Sequence, residues 1–408
     1  MATYLAQRAI EDAQHHGTAI LKFISPNDVG YTGSHQCGFY LPKKLWDVYT
    51  SFPPTKGDNN KEDVEITWPD GLVTQSVITW YGKGTRSEYR LTCFGRDFPW
   101  LTYDNIGSLL VLIPSGPGKM IAHVLDRDED IQEVEGVLGV DIVKSWGLYD
   151  AAGRNAPDTL IPAPSLSIPF PAAQPVDTVE ERFRKFAAAN AEEFPSSAEM
   201  SDFTFKTVSE CDPTFKRKSL DDKLLQLISA EFTLFKMVER LVLNDSVVRV
   251  FKSVDDFIKT ASSIMNRRKS RAGHSLEHHA RKLLEDAGLK FQTQKKIEKG
   301  KKPDMLFPSK EAYEDETFPA EKLRMLGIKT TCKDRWRQVL NEASRILVKH
   351  ILTLQQGISA NQLEEMERSG IKLVVPKAIH SEYPKDKQKD LLTLEQFVAI
   401  MLSLQQGD

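Results

Sequence analysis

No apolar run in this 408-residue chain reaches the roughly 18 residues that a membrane-spanning helix needs. The opening stretch, MATYLAQRAIEDAQHH, lacks the basic start and long apolar core of a secretory signal. Cysteine is scarce: Cys37, Cys93, Cys211 and Cys332 lie far apart and form no CxxC pair. A disulfide framework or zinc site is therefore not expected, and a reducing cytoplasm fits. There is no internal repeat, and the formal net charge is only −3. At this length two or three domains are expected.

The small net charge conceals an asymmetry. Residues 266–350 hold 21 lysines and arginines against 12 acids, a net of +9, which leaves −12 for the remainder. A basic block in an acidic chain points to a local polyanion site, although a merely solvated basic surface remains open.

Residues 1–154 read as a mostly β domain. Short apolar or alternating runs recur at 19–24, 37–42, 64–68, 76–81, 89–94, 109–113 and 120–125, divided by turn segments such as PNDVG, GKG and PSGPG. That pattern predicts a barrel or sandwich. A helix is predicted over 131–139, ended near Gly139. Residues 155–178 contain six prolines, which can neither continue a helix nor join a sheet interior, so an extended linker and domain boundary are expected. Helical spacing then dominates, with helices predicted at 179–194, 219–243, 253–268 and 274–288. From Lys290 onward the pattern alternates. Strands are predicted at 304–307, 325–330, 350–355 and 371–376, and helices at 334–350, 358–370 and 392–404. Such alternation implies a central sheet covered on both faces.

The chemistry-bearing stretch runs from Lys301 to Glu342. Asp304 follows Pro303 at the entry to a strand, and Lys329 closes the apolar run MLGIK. Phosphodiester hydrolysis needs hard oxygen ligands for a divalent cation and a group to orient water. Many metal nucleases carry an acid two residues before the lysine, but here that position is Gly327. Glu342 is the substitute proposed, on the edge of a helix over 334–350 whose buried stripe is Trp336, Val339, Leu340, Ala343 and Leu347. Taken singly, an Asp after Pro is often only a turn and a helical Glu is often solvated. Glu277, beside the apolar face of the 274–288 helix, is a further candidate acid. His278 and His279 read as surface or phosphate-contacting groups rather than zinc ligands, because no matching ligand set appears.

Arg267, Arg268, Lys269 and Arg271 are packed together and suit phosphate contact. Asp334 and Arg335, at the head of a helix, suit the reading of adjacent C·G pairs, since carboxylates accept from cytosine and arginine reads guanine. An Asp N-cap followed by a solvated Arg is the plainer alternative.

NRRKSRAG followed by SLE, KKPD with LFPS, and LRMLGIKTTCKDRWRQVLNEA resemble the catalytic domain of the EcoRII-like type IIE restriction endonucleases over roughly 179–408. NDVGYTGSHQCGFYLP (27–42) and TRSEYR (85–90) are similar to the effector-binding domain of that family. The resemblance implies an N-terminal DNA-binding pseudobarrel and a C-terminal PD-(D/E)xK domain with a central mixed sheet flanked by helices. It implies Mg²⁺ held by Asp304 and Glu342, catalysis by these with Lys329 and the auxiliary acid Glu277, and base reading by Lys333, Asp334 and Arg335. Implied too are a homodimer, double-stranded DNA as partner, and cutting before the first C of a site such as CCWGG. A second copy of the site would bind as effector near His35, Tyr40, Lys83, Arg86, Glu88 and Arg90. In the family, unoccupied N-terminal domains block the catalytic cleft. Tyr89 interrupts the basic run there, and Cys37 sits beside the His35–Tyr40 pair, both departures from the family pattern. Two rivals stay in view: a non-catalytic DNA-binding regulator on a nuclease scaffold, and a repair nuclease that reads DNA structure rather than sequence.

Overall fold

Helix α1 (Tyr4–His16) begins where Thr3 turns its hydroxyl onto the Ala6 amide and stops at Gly17, whose φ of 76° a residue with a Cβ would resist. It buries Ala6, Ala9 and Ala13. In this computed structural model residues 3–31, 37–143, 145–152, 178–248 and 251–406 are described. They group into one unit of Met1–Ala152 with Lys290–Asp408, and a second of Gly153–Leu289.

The first unit opens with α1, β1 (Thr18–Phe23), β2 (Phe39–Leu41), the single turn α2 (Trp46–Tyr49), β3 (Asn59–Thr67), β4 (Val73–Tyr81), β5 (Glu88–Thr92), β6 (Leu109–Gly116), β7 (Lys119–Leu125), α3 (Asp128–Leu138) and β8 (Trp146–Asp150). The strands form one eight-stranded sheet in the order β2-β5-β4-β3-β7-β6-β1-β8. All pairings are antiparallel except β3 with β7. The two faces of β1 and β6 serve different cores. Ile20, Leu110 and Leu112 join Trp68, Trp80, Tyr89 and Leu91 on one side. Leu21, Phe23, Leu109 and Val111 meet α1 and α3 on the other. Strands buried on both faces read as continuous apolar runs, which is why LLVLI shows no alternation. The seven expected strands and the helix ended by Gly139 are present. α1 and β8 are additional, because neither carries a strong periodic signal in the sequence.

Residues 155–177, most of the proline-rich segment, lie outside the described residues. The second unit is helical: α4 (Val179–Ala189), α5 (Ser197–Cys211), α6 (Leu220–Val248) and α7 (Val254–Asp286). A capping box between Ser196 and Glu199 starts α5, a helix that sequence spacing did not predict. The two helices expected at 253–268 and 274–288 are one 33-residue helix. Gly273 lies within it, and a mid-helix glycine costs only about 1 kcal/mol. Packing beside it outweighs that: the Arg271 guanidinium stacks on Phe232 at 4.6 Å, and Arg268 pairs with Glu239 at 2.6 Å.

The first unit resumes with β9 (Gln292–Thr293), β10 (Met305–Phe307), α8 (Lys310–Glu314), β11 (Arg324–Lys329), α9 (Trp336–Leu340), β12 (Lys349–Thr353), α10 (Ala360–Arg368), β13 (Ile371–Val374) and α11 (Leu394–Gln406). The sheet is mixed, in the order β13-β12-β11-β10-β9, parallel on the β13 side and antiparallel from β11 to β9. The helix expected over 334–350 is only one turn and a half long. Ala343 has φ 47°, and Leu347, placed in the expected buried stripe, is 83% exposed. Arg345 draws the chain off the helical path by donating to the carbonyls of Tyr313, Asp315 and Phe318.

Both sheets belong to this unit, and their loops interlock. Gln355 Nε2 donates to the Gly107 carbonyl at 3.1 Å, and the Ser145 amide donates to Gln356 Oε1 at 3.2 Å. Gly107 has φ 81°, and a Cβ there would come within 2.0 Å of the Gly357 carbonyl oxygen. Gly107→Ala is expected to destabilise the protein by about 1–3 kcal/mol, seen as a lowered Tm. Gly116→Ala, where a Cβ meets nothing within 4 Å, is expected to leave Tm unchanged.

Candidate active site

Strands β10 and β11 are antiparallel, with Met305 opposite Leu326. That register brings Asp304, just before β10, beside the end of β11. Asp304 Oδ2 accepts from the Ile328 amide at 2.7 Å and from Lys329 Nζ at 3.0 Å. Gln294 Nε2 donates to Oδ1 at 3.1 Å, so three donors fix this carboxylate. The side chains of Lys329 and Asp304 remain 14% and 18% exposed, which leaves the pair reachable from solvent.

Glu342 joins them from a different element than expected. It lies in the loop after α9, its amide donating to the Val339 carbonyl at 3.1 Å. Burial, and then repulsion from Asp304, push its carboxyl up to about 7, against the pull of Lys329, Lys301 and Lys349. Glu342 thus stands within the electrostatic reach of the Asp304 carboxylate, to which Lys329 is bound. The position two residues before Lys329, where an acid is absent, packs closely on α9. A Cβ at Gly327 would stand 3.2 Å from Val339 Cγ2 of α9, a tight contact that the Val339 side chain would have to yield to. Glu277 is half-buried on α7, in the other unit.

The expected base-reading residues are held by the N-terminal sheet region. Asp128, the first residue of α3, accepts from the main-chain amides of Lys333, Asp334 and Arg335 at 3.0, 2.8 and 2.9 Å. Lys333 is 4% exposed. Its Nζ donates to Ser108 Oγ at 2.6 Å and to the Asp104 carbonyl at 3.2 Å. Burial and the neighbouring Asp128 carboxylate push Asp334 up to about 7. Gln132, also on α3, donates to Thr331 Oγ1 at 3.0 Å. Asp128 and Gln132 carry no sequence signal of this role, since an acid in the first turn of a helix is commonplace.

The basic run expected to contact phosphate, Arg267, Arg268, Lys269 and Arg271, lies on α7 with much of its charge engaged by the protein. Arg271 is 8% exposed and stacked on two phenylalanines, Arg268 pairs with Glu239, and Arg267 lies over Phe194 at 4.2 Å. His279 is likewise no surface group: it is buried, 2.7 Å from Glu231. Buried charges are found paired in this way because an isolated one is costly to desolvate. Lys269 remains on the same helix.

Of the expected effector-contact residues, Tyr40 and Arg90 are cross-strand partners on β2 and β5. Arg90 is buried and donates to the Gly38 carbonyl at 3.2 Å, with Glu88 at 3.4 Å from its Nε. Arg86 lies over the Tyr81 ring at 5.2 Å, Lys83 is exposed, and His35 is outside the described residues. Tyr89, which interrupts the basic run, is fully buried and packs on Trp80.

Two family models match the chain: "Restriction endonuclease EcoRII, N-terminal" over residues 13–148 and "EcoRII C terminal" over residues 235–398. Among curated proteins, "Type II restriction enzyme EcoRII" of Escherichia coli is 35% identical over 396 residues, covering 94% of each chain. Solved structures that resemble the chain include the restriction endonuclease PspGI with substrate DNA (15% identity, TM-score 0.45, covering 53% of this chain and 95% of that one). Metal-depleted Ecl18kI in complex with uncleaved, modified DNA is another (19% identity, TM-score 0.43, covering 56% and 84%).

The raised Glu342 has a consequence for stability. A carboxyl whose folded value exceeds its unfolded one binds more protons when folded, so stability falls as pH rises from about 4.5 to about 7. Glu342→Gln removes that penalty. In metal-free buffer the variant is expected to melt above the wild type at pH 8, with the gap closing toward pH 5, read by differential scanning fluorimetry.

Proposed function

Because the chain belongs to the EcoRII family of type II restriction enzymes, which are site-specific deoxyribonucleases, we propose that it cuts double-stranded DNA with Asp304, Lys329 and Glu342 and a divalent cation, Mg²⁺. The observation that supports this reading is the Asp304–Lys329 contact at 3.0 Å between separate strand ends, with Glu342 within the field of both. A non-catalytic regulator has no need of that arrangement.

The residues fit a hard cation. Asp304 and Glu342 would hold it through carboxylate oxygens, and a bound cation would offset the repulsion that Asp304 exerts on Glu342. When bound, Mg²⁺ neutralises negative charge developing on the scissile phosphate. The protein's own groups do the remainder. Lys329, fixed by Asp304, orients a water molecule near the phosphate and adds a positive charge there, while the Ile328 and Gln294 donors keep Asp304 from rotating away. Glu277 is proposed as the auxiliary acid and Lys269 as a phosphate contact.

The proposed target is a short C·G-flanked site such as CCWGG, read by Lys333, Asp334 and Arg335. A nearly palindromic site calls for two cutting centres, and hence a homodimer through the catalytic domain. A second copy of the site is proposed to bind the N-terminal domain, with Tyr40, Lys83, Arg86, Glu88, Arg90 and His35 as contacts, and to stimulate cleavage. What supports an inhibitory N-terminal domain is that Asp128 and Ser108 occupy the donors of the reading segment. Among the described residues no helix is long and apolar enough to cross a membrane, and a cytoplasmic site of action is proposed.

Asp304→Ala and Lys329→Ala are each expected to lower cleavage of plasmid DNA with Mg²⁺ by about 10³-fold while retaining DNA binding in a mobility-shift assay. Cleavage at the wild-type rate in either variant contradicts the assignment. Sequencing the ends from a digest of genome-sized DNA identifies the site. Asp128→Ala is expected to raise cleavage of DNA carrying a single site, measured against a two-site substrate.

A further inference from the structure

Residues 341–346 pose a mechanical problem. α9 has ended at Leu340, β12 has not begun, and Glu342 lies between them. Ala343, the next residue, has φ 47°, a left-handed conformation that costs a residue with a Cβ about 1 kcal/mol or more. Nothing in the local sequence favours that geometry, so contacts from elsewhere must hold it.

Those contacts are visible. Glu298 Oε1 accepts from the main-chain amide of Ser344 at 2.7 Å, two residues beyond Glu342. Glu298 itself sits in a tight turn fastened by the Ile297 amide to the Lys301 carbonyl at 2.9 Å and by buried Ile297. Its other oxygen, Oε2, is buried without a well-formed hydrogen bond, and the Tyr313 hydroxyl faces the carboxylate. The Arg345 amide lies 3.4 Å from that hydroxyl, and the Arg345 guanidinium grips the carbonyls of the same 313–318 segment. Lys349 donates to the Ile346 carbonyl at 2.8 Å and lies in the field of both Glu298 and Glu342. Burial raises the Glu298 carboxyl, but Tyr313 and the Ser344 donors outweigh it and leave it below the ordinary glutamate range. It is thus ionised at neutral pH and a strong acceptor.

We propose that Glu298 is the positioning residue for Glu342: it anchors the strained 341–346 loop through the Ser344 amide and so fixes where the Glu342 carboxylate stands relative to Asp304 and Lys329. The inference rests on the active-site reading given above and extends it to a residue outside the site. No acid-base role falls to Glu298, which among the described residues makes no hydrogen bond to Asp304 or Lys329. Its effect is geometric. A displacement of about 1 Å in such a group is enough to lower a rate about 10²-fold.

The test uses the full chain, a two-site DNA substrate and Mg²⁺, with Glu298→Ala, Glu298→Gln and Glu298→Asp beside Asp304→Ala. In Glu298→Ala, kcat is expected to fall about 10²-fold with KM for DNA unchanged. Hydrogen exchange, read without metal, is expected to lose protection at Ser344 but not in β11 or β12. Glu298→Gln keeps an oxygen within reach of the Ser344 amide and is expected to recover most of the rate. Should Glu298→Ala not fold, the other two decide. Rate kept by Gln and lost by the shorter Asp supports the anchor; rate lost by Gln and kept by Asp overturns it in favour of a charge effect. A wild-type kcat in Glu298→Ala, with Asp304→Ala inactive, overturns the positioning role and leaves the active-site reading standing. Cleavage by Asp304→Ala sinks the active-site reading itself.

Discussion

The Asp304 carboxylate ties the start of β10 to the end of β11. One oxygen receives both the Ile328 amide and the Lys329 amine. The main-chain donor fixes the oxygen in space, and the side-chain donor is then held where the strand ends. A carboxylate satisfied on one oxygen by two donors of opposite rigidity cannot turn without abandoning both. The remaining geometry of the site follows from that anchor. The mixed sheet supplies the register, α9 fills the space beside Gly327, and the second acid arrives from the loop that α9 leaves behind.

The Asp304 carboxylate repels that of Glu342, and the protein keeps both in a partly buried setting. Glu342 is pushed to about 7 because burial and Asp304 act in the same direction. Such an arrangement is a cost to the fold, and it is sustained by contacts from segments distant in the sequence: Arg345 on three carbonyls and Glu298 on the Ser344 amide. Strain held in place by its surroundings is the pattern expected where position matters more than stability. Asp128 works on the neighbouring segment by similar means. A single carboxylate takes three successive amides at the entry to α9, and charge-assisted bonds of this kind are stronger than neutral ones. The proposed inhibitory and catalytic devices thus both act on the chain that flanks α9, one at each end.

The 35% identity to the Escherichia coli enzyme extends along 94% of both chains, so the family assignment covers the N-terminal sheet as well as the C-terminal one. The Ser201–Glu231–His279 contacts and the stacked Arg271 show the second unit spending its charged residues on its own interior. There the run NRRKSRAG reads as a basic patch along the chain, yet the helix winds three of its arginines onto phenylalanines or an acid. Composition records how much charge is present and not which way each side chain turns.

Local patterns in the sequence determined a good deal. The apolar runs of the N-terminal sheet, the order β10, β11, β12, α10, β13, and the pairing of Asp304 with Lys329 across one hairpin-like excursion were all legible, because strand burial and strand register are written in adjacent residues. Where a helix stops inside an apolar stretch was not. Residues 334–350 keep helical spacing throughout, and it is the Arg345 bonds to distant carbonyls and the Ser344 amide's bond to Glu298, 27–46 positions away, that accompany the turn of the second half into a loop. The single helix across Gly273, the burial of Lys333 against Ser108 and the seizure of three amides by Asp128 have the same origin. Each depends on a partner distant in the chain, and free energies of a few kcal/mol from such partners override the smaller local preferences that a sequence displays.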